Sequence, residues 1–146
     1  MKFAQFHAGQ VIEAGPHVVA QDELLGFARD WDPQWFHTDP EAAAAGLFGG
    51  LIASGWHTCA IAMRLVVKAA LEGSESFASP GLQSLRWPHP VRPGDALRLR
   101  AEVIEARRSD SKPTLGILRW RWRLFNQHGA EVLDTDVTSL FRLAAP

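Results

Sequence analysis

A chain of 146 residues, 47% hydrophobic and 21% charged, has the size and composition of one domain with its own core. A formal net charge of −1 gives no bulk attraction for nucleic acid, and Arg64 and Lys68 break the longest apolar run before it reaches membrane-spanning length. Cys59 is the sole cysteine, which excludes an internal disulfide framework and fits a reducing cytoplasm.

The N-terminal stretch Met1-Lys2-Phe3-Ala4-Gln5-Phe6-His7 lacks the apolar core of a secretory signal. Gly15-Pro16-His17-Val18-Val19-Ala20 reads as a short first strand. Gln21 to Arg29 reads as a helix, with Asp22 and Glu23 in its first turn and Leu24, Leu25, Phe27 and Ala28 as its buried face. A Pro-containing loop follows, Asp32-Pro33-Gln34-Trp35-Phe36-His37-Thr38-Asp39, which carries an acid and an imidazole. Asp39 then caps a short helix with Pro40 at its first position, and Gly46 stops it.

Phe48-Gly49-Gly50-Leu51-Ile52-Ala53-Ser54-Gly55-Trp56-His57 opens the longest helix. Ser54 is its expected cap, and it runs to about Leu71 with Gly73 beyond. His57, Arg64, Lys68 and Glu72 form its only polar stripe, so other structure is expected on most of its circumference. The second half alternates with period two. Gly81–His89 reads as a strand, and Arg92-Pro93-Gly94-Asp95 as the turn after it. Leu97, Leu99, Ala101 and Val103 oppose Arg98, Arg100 and Glu102, and Trp120, Trp122 and Leu124 oppose Arg119, Arg121 and Arg123. Asn126-Gln127-His128-Gly129 is a hairpin turn before the stripe Leu133, Thr135, Val137, Ser139, Phe141. A helical first half and a strand-rich second half predict an α+β fold, a mainly antiparallel curved sheet wrapped around a long central helix.

An Asp, a His and a glycine-flanked helix start are the parts needed for acid–base chemistry beside a developing oxyanion. An imidazole exchanges protons near neutral pH. A carboxylate can orient a water, and the first N–H groups of a helix lack internal partners. Asp39 reads first as a helix cap and Cys59 as an inert core thiol. His7, His17, His89 and His128 lack metal-ligand spacing, so no metal is expected.

These stretches, with Arg86-Trp87-Pro88-His89-Pro90-Val91-Arg92-Pro93-Gly94-Asp95 and Asn126-Gln127-His128-Gly129, resemble the MaoC-like dehydratases and R-specific enoyl-CoA hydratases of the hotdog fold, from about Asp22 to the C-terminus. The resemblance implies a single hotdog domain over residues 1–146. It implies reversible addition of water to a 2-enoyl thioester of coenzyme A or of acyl carrier protein. Asp32 and His37 would activate the water, and the Gly55 backbone N–H would hold the thioester oxygen. Gln34, Trp35, Ser54 and Trp56 are the expected substrate-binding residues. No cofactor is implied beyond the coenzyme A of the substrate, and the expected assembly is a homodimer or a dimer of dimers in the cytoplasm. The chain departs from the usual R-hydratase pattern, which often has Asn, Pro and His at Gln34, Trp35 and Ser54 and a serine near Met63. It sides instead with a bacterial subgroup carrying Asp-Pro-Gln-x-Phe-His. Two rival functions share the fold: a thioesterase that cleaves the same bond type, and a binder of acyl thioesters that turns nothing over.

Overall fold

Period-two alternation in the second half becomes the centre of one antiparallel sheet. In the computed structural model, which describes residues 1–145, the strands are β1 (Val11–Val18), β2 (Ser76–Arg86), β3 (Ala96–Arg108), β4 (Leu115–Phe125) and β5 (Glu131–Arg142). Their order across the sheet is β1-β3-β4-β5-β2, and every pairing is antiparallel. Leu97, Leu99, Ala101 and Val103 of β3 are buried on the concave face beside Leu118, Trp120, Trp122 and Leu124 of β4. Burying each of these leucines and the valine stabilises the fold by about 1.5–3 kcal/mol. The Trp120 indole N–H donates to the Ser139 hydroxyl at 3.1 Å, so its burial leaves no orphan donor. On the convex face Arg119 pairs with Asp136 and Arg121 with Asp134, as expected of a solvated face.

The helices are α1 (Gln21–Trp31), α2 (Trp35–Thr38), α3 (Pro40–Ala45) and α4 (Gly55–Val66). A π-helical turn, Val67–Leu71, continues α4 to the predicted end. Ile61, Ala62, Leu65, Val66 and Ala70 of this helix and turn pack into the sheet's hollow. This is a hotdog architecture. Among the described residues no helix is long and apolar enough to cross a membrane.

Two strands and the surroundings of α4 differ here from the sequence reading. The strand expected over Gly15–Ala20 runs from Val11 to Val18, with an irregular register between Ala14 and His17. The strand expected over Gly81–His89 runs from Ser76 to Arg86. Both are edge strands, where Pro16 and Pro80 are tolerated because one row of backbone groups has no partner strand. Alternation is weak there because little of either strand is buried. The third difference is the surroundings of α4. One side carries an exposed apolar stripe, Trp56, Ala60, Met63 and Val67, where covering structure was expected.

Candidate active site

Pro33 ends α1 from outside. The residue before a proline is pushed out of the helical region, and Asp32 takes φ −152° and ψ 68° as the helix cap. The chain then turns through Gln34 into α2, a four-residue helix inside what the sequence suggested was a plain loop. His37 lies on that turn. Asp39 caps α3 as expected, accepting from the Glu41 and Ala42 N–H groups at 3.1 Å.

His37 is buried, and its Nδ1 stands 2.7 Å from the Ile52 carbonyl oxygen. A carbonyl only accepts, so Nδ1 carries the hydrogen and Nε2 is left for chemistry. Nε2 lies 3.3 Å from Asp32 Oδ2. The same Oδ2 accepts the Ser54 hydroxyl at 2.8 Å, and Oδ1 accepts the Gln34 side-chain N–H at 2.7 Å. Burial pushes the Asp32 carboxyl upward, but the bonds from Gln34 and Ser54 and the nearby His37 together outweigh it and hold it below the ordinary value of 3.8. Asp32 is therefore a carboxylate at neutral pH.

The segment before α4 is pinned in place. Ile52 N–H donates to Phe36 O at 3.3 Å, and Ala53 N–H donates to Val91 O at 2.8 Å. Ser54 stands at the helix cap position, yet its side chain makes no capping bond. The sequence expectation of a capping hydroxyl is corrected here. The hydroxyl spans 22 positions of chain to a carboxylate, and a hydrogen bond to an ion is stronger than one to a neutral amide. Among the described residues the Gly55 N–H has no hydrogen-bond partner.

Gly55 and His37 share a cavity of about 240 Å³ with Phe48, Thr58, Trp87 and Val132. Of the predicted contacts, Gln34 and Ser54 are gathered onto Asp32. Trp35 and Trp56 lie outside this wall. The Trp35 ring packs over Gly46, where a β-carbon would stand 2.8 Å away. Trp56 is 59% exposed and meets Trp87 edge-on at 5.5 Å. Arg92 donates to the Phe48 carbonyl at 2.6 Å and fastens the glycine-rich loop beside the cavity.

Sequence reasoning did not find Trp87 or the group around Glu23. His57 was expected on a polar stripe. It is buried, stacked on Phe27 at 4.7 Å, with Nε2 3.3 Å from Glu23, which also holds His17 at 2.9 Å. Burial pushes the His57 imidazole below its ordinary pKa, more strongly than Glu23 raises it. Its inward position follows from tertiary contact, which no local pattern reveals. Among the described residues no cluster of His, Cys, Asp or Glu is placed to hold a metal ion.

Ser54→Ala tests the corrected role. Loss of one donor raises the Asp32 pKa, so the acid limb of the pH–rate profile should move to higher pH. A capping role alone would lower the melting temperature, by about 1 kcal/mol of stability, and leave that limb in place.

Residues 3–118 match the family model described as the MaoC like domain. A crystal structure of the MaoC-like dehydratase from Rhodospirillum rubrum is 36% identical and superposes with a TM-score of 0.89, over 98% of this chain and 97% of that one. The R-hydratase PhaJ1 from Pseudomonas aeruginosa is 25% identical with a TM-score of 0.77, over 97% of this chain and 86% of that one. The 3-hydroxyacyl-thioester dehydratase Z of Mycobacterium tuberculosis is 38% identical over 88 residues, 59% of this chain and 58% of that protein. The agreement between model match, superposition and the antiparallel sheet around α4 places this chain in the MaoC-like hydratase/dehydratase family.

Proposed function

We propose that this protein reversibly hydrates a 2-enoyl thioester, with coenzyme A or acyl carrier protein as the thiol portion. One observation carries the reading. The Asp32 carboxylate and the free Nε2 of His37 stand 3.3 Å apart beside the unpartnered N–H of Gly55. The names of the relatives, a 3-hydroxyacyl-thioester dehydratase and an R-hydratase, support it.

A water held between Asp32 and His37 adds its oxygen to Cβ of the enoyl group. Nε2 takes the departing proton, and the electron pair of the double bond moves toward the thioester oxygen. Gly55 N–H donates to that oxygen as charge builds. The imidazolium then returns its proton to Cα, so the product gains one H and one OH. The reverse path uses the same groups. Asp32 stays ionised, orients the water and stabilises the transient imidazolium.

The test is direct. Purified protein mixed with 2-enoyl-CoAs should bleach the absorbance of the conjugated thioester, and 3-hydroxyacyl-CoAs should restore it. Release of free thiol without loss of the double bond would make the protein a thioesterase. Binding without turnover would make it a carrier.

We extend the proposal to assembly as a homodimer or dimer of dimers. Edge strand β2 exposes Phe77 and Leu82, and α4 with its π-helical turn exposes Trp56, Met63 and Val67. Residues 56, 60, 63 and 67 fall on one face of a helix, and such an apolar stripe calls for cover. Light scattering should give a mass of two or more chains at micromolar concentration. A stable monomer there contradicts the pairing, and Leu82→Glu with Met63→Glu should shift the parent assembly toward monomer.

A further inference from the structure

Two cavities share α4 as a wall, and Trp87 lines the first of them. The first holds His37 and Gly55. The second, about 280 Å³, is walled by Cys59, Met63, Leu82, Leu85, Trp122 and Val137 and is almost wholly apolar. Gly55 and Thr58 line the first, and Cys59, Ala62 and Met63 the second. At 1.5 Å per residue, the eight steps from Gly55 to Met63 span about 12 Å of helix.

Trp87 lies on the side of the first cavity nearer the second. Its indole lies so close over Gly55 that a β-carbon there would stand 2.5 Å from the ring. It also lies beside the Cys59 thiol, the first residue of the far cavity's wall. Trp56 braces it edge-on. Pro88 follows directly and lacks the N–H that would continue β2, so Trp87 sits on the loop just past the strand end at Arg86.

Resting on the hydratase reading, we infer that Trp87 is the chain-length gate of this site. With the indole in place the protein takes short 2-enoyl groups, and with it removed the two cavities join into a channel for medium-length chains. Position supports this. The indole lines the cavity that holds His37 and Gly55 and packs against the start of α4, so an acyl chain running along α4 toward the apolar cavity meets it. Beyond it lies apolar surface that takes no part in the hydration step, although Met63 and Leu82 of its wall also belong to the proposed pairing face.

The experiment measures turnover and binding on the same chain-length ladder. The parent, Trp87→Ala and Trp87→Phe are given four-carbon to ten-carbon 2-enoyl-CoAs. Calorimetry with the saturated four-carbon and ten-carbon acyl-CoAs, which cannot be hydrated, reports the gate without the chemistry. The parent should favour the four-carbon thioester. Trp87→Ala should raise the ten-carbon to four-carbon ratio by about tenfold or more in both kcat/KM and affinity, with Trp87→Phe between, since methylene-scale discrimination in an apolar pocket is of this order. If Trp87→Ala does not fold, Trp87→Phe carries the comparison. A ratio unchanged by both substitutions overturns the gate and makes the far cavity packing space at the pairing surface. A shifted binding ratio with no turnover on any enoyl-CoA keeps the gate and removes the hydratase reading. No binding of either saturated thioester removes both.

Discussion

Asp32→Asn and His37→Ala should each lower turnover by about 10²–10⁴-fold, the range typical of a positioned acid or base, with a smaller effect on substrate affinity. Asn keeps the shape of Asp32 but not its charge. Two donors converge on the carboxylate, from Gln34 and Ser54. An amide offers them one acceptor oxygen, and its NH₂ faces the other. The Ser54 hydroxyl can turn and accept, so the variant should fold. What is lost is the negative charge that orients the water and stabilises the imidazolium. His37→Ala removes the imidazole nitrogen proposed to take the water's proton and leaves the Ile52 carbonyl without its donor. That buried vacancy costs about 1–3 kcal/mol of stability, so melting temperature must be read beside rate. The decisive split is kcat against KM on one confirmed enoyl thioester. Near-parent kcat in both folded variants would strip Asp32 and His37 of their roles.

Sequence and structure agree where a residue's surroundings repeat locally. The alternation of Leu97 to Val103 and of Trp120 to Leu124 reports strands buried on one face, and those are β3 and β4, two of the three inner strands. The turn at Asn126–Gly129 is closed by Asn126 N–H to Ala130 O at 3.0 Å, with Gly129 at φ +76° where a side chain would be strained. Agreement fails where a partner comes from far along the chain. Ser54 has a fitting cap position and a distant carboxylate, and only the folded chain shows that the carboxylate wins. His57 has the spacing of a polar stripe, but α1 brings Phe27 and Glu23 over it. The strand expected to begin at Gly81 begins at Ser76, and Pro80 is accommodated because β2 is an edge strand, which sequence cannot tell from a centre. Trp87 entered the sequence reading only as part of the Arg86–Asp95 stretch, and its place over Gly55 depends on where the loop after β2 crosses the start of α4.

Gly55→Val should cost about 10²–10³-fold in kcat, comparable to losing one oxyanion donor, roughly 2.7–4 kcal/mol, while the protein stays folded. The substitution leaves the N–H in place, so the loss must come from position. Gly55 does not need glycine for its backbone angle, since its φ is not among the positive ones. It needs glycine for space. A β-carbon would fall 2.5–2.8 Å from three atoms of the Trp87 ring, closer than real contacts allow. Either the indole swings away or the start of α4 shifts. Trp87 is partly exposed on a loop and can move, which is why the fold should survive. A shift of about 1 Å at the helix start is enough to misplace the donor, since catalytic geometry tolerates little more. Gly55→Ala separates the two causes. If crowding against the indole is what displaces the N–H, adding Trp87→Ala to Gly55→Ala should recover most of the lost turnover on a short enoyl thioester. If the double variant stays as slow as the single one, the helix start has moved for its own reasons. Full turnover in Gly55→Val on a confirmed substrate would mean that the thioester oxygen is held elsewhere.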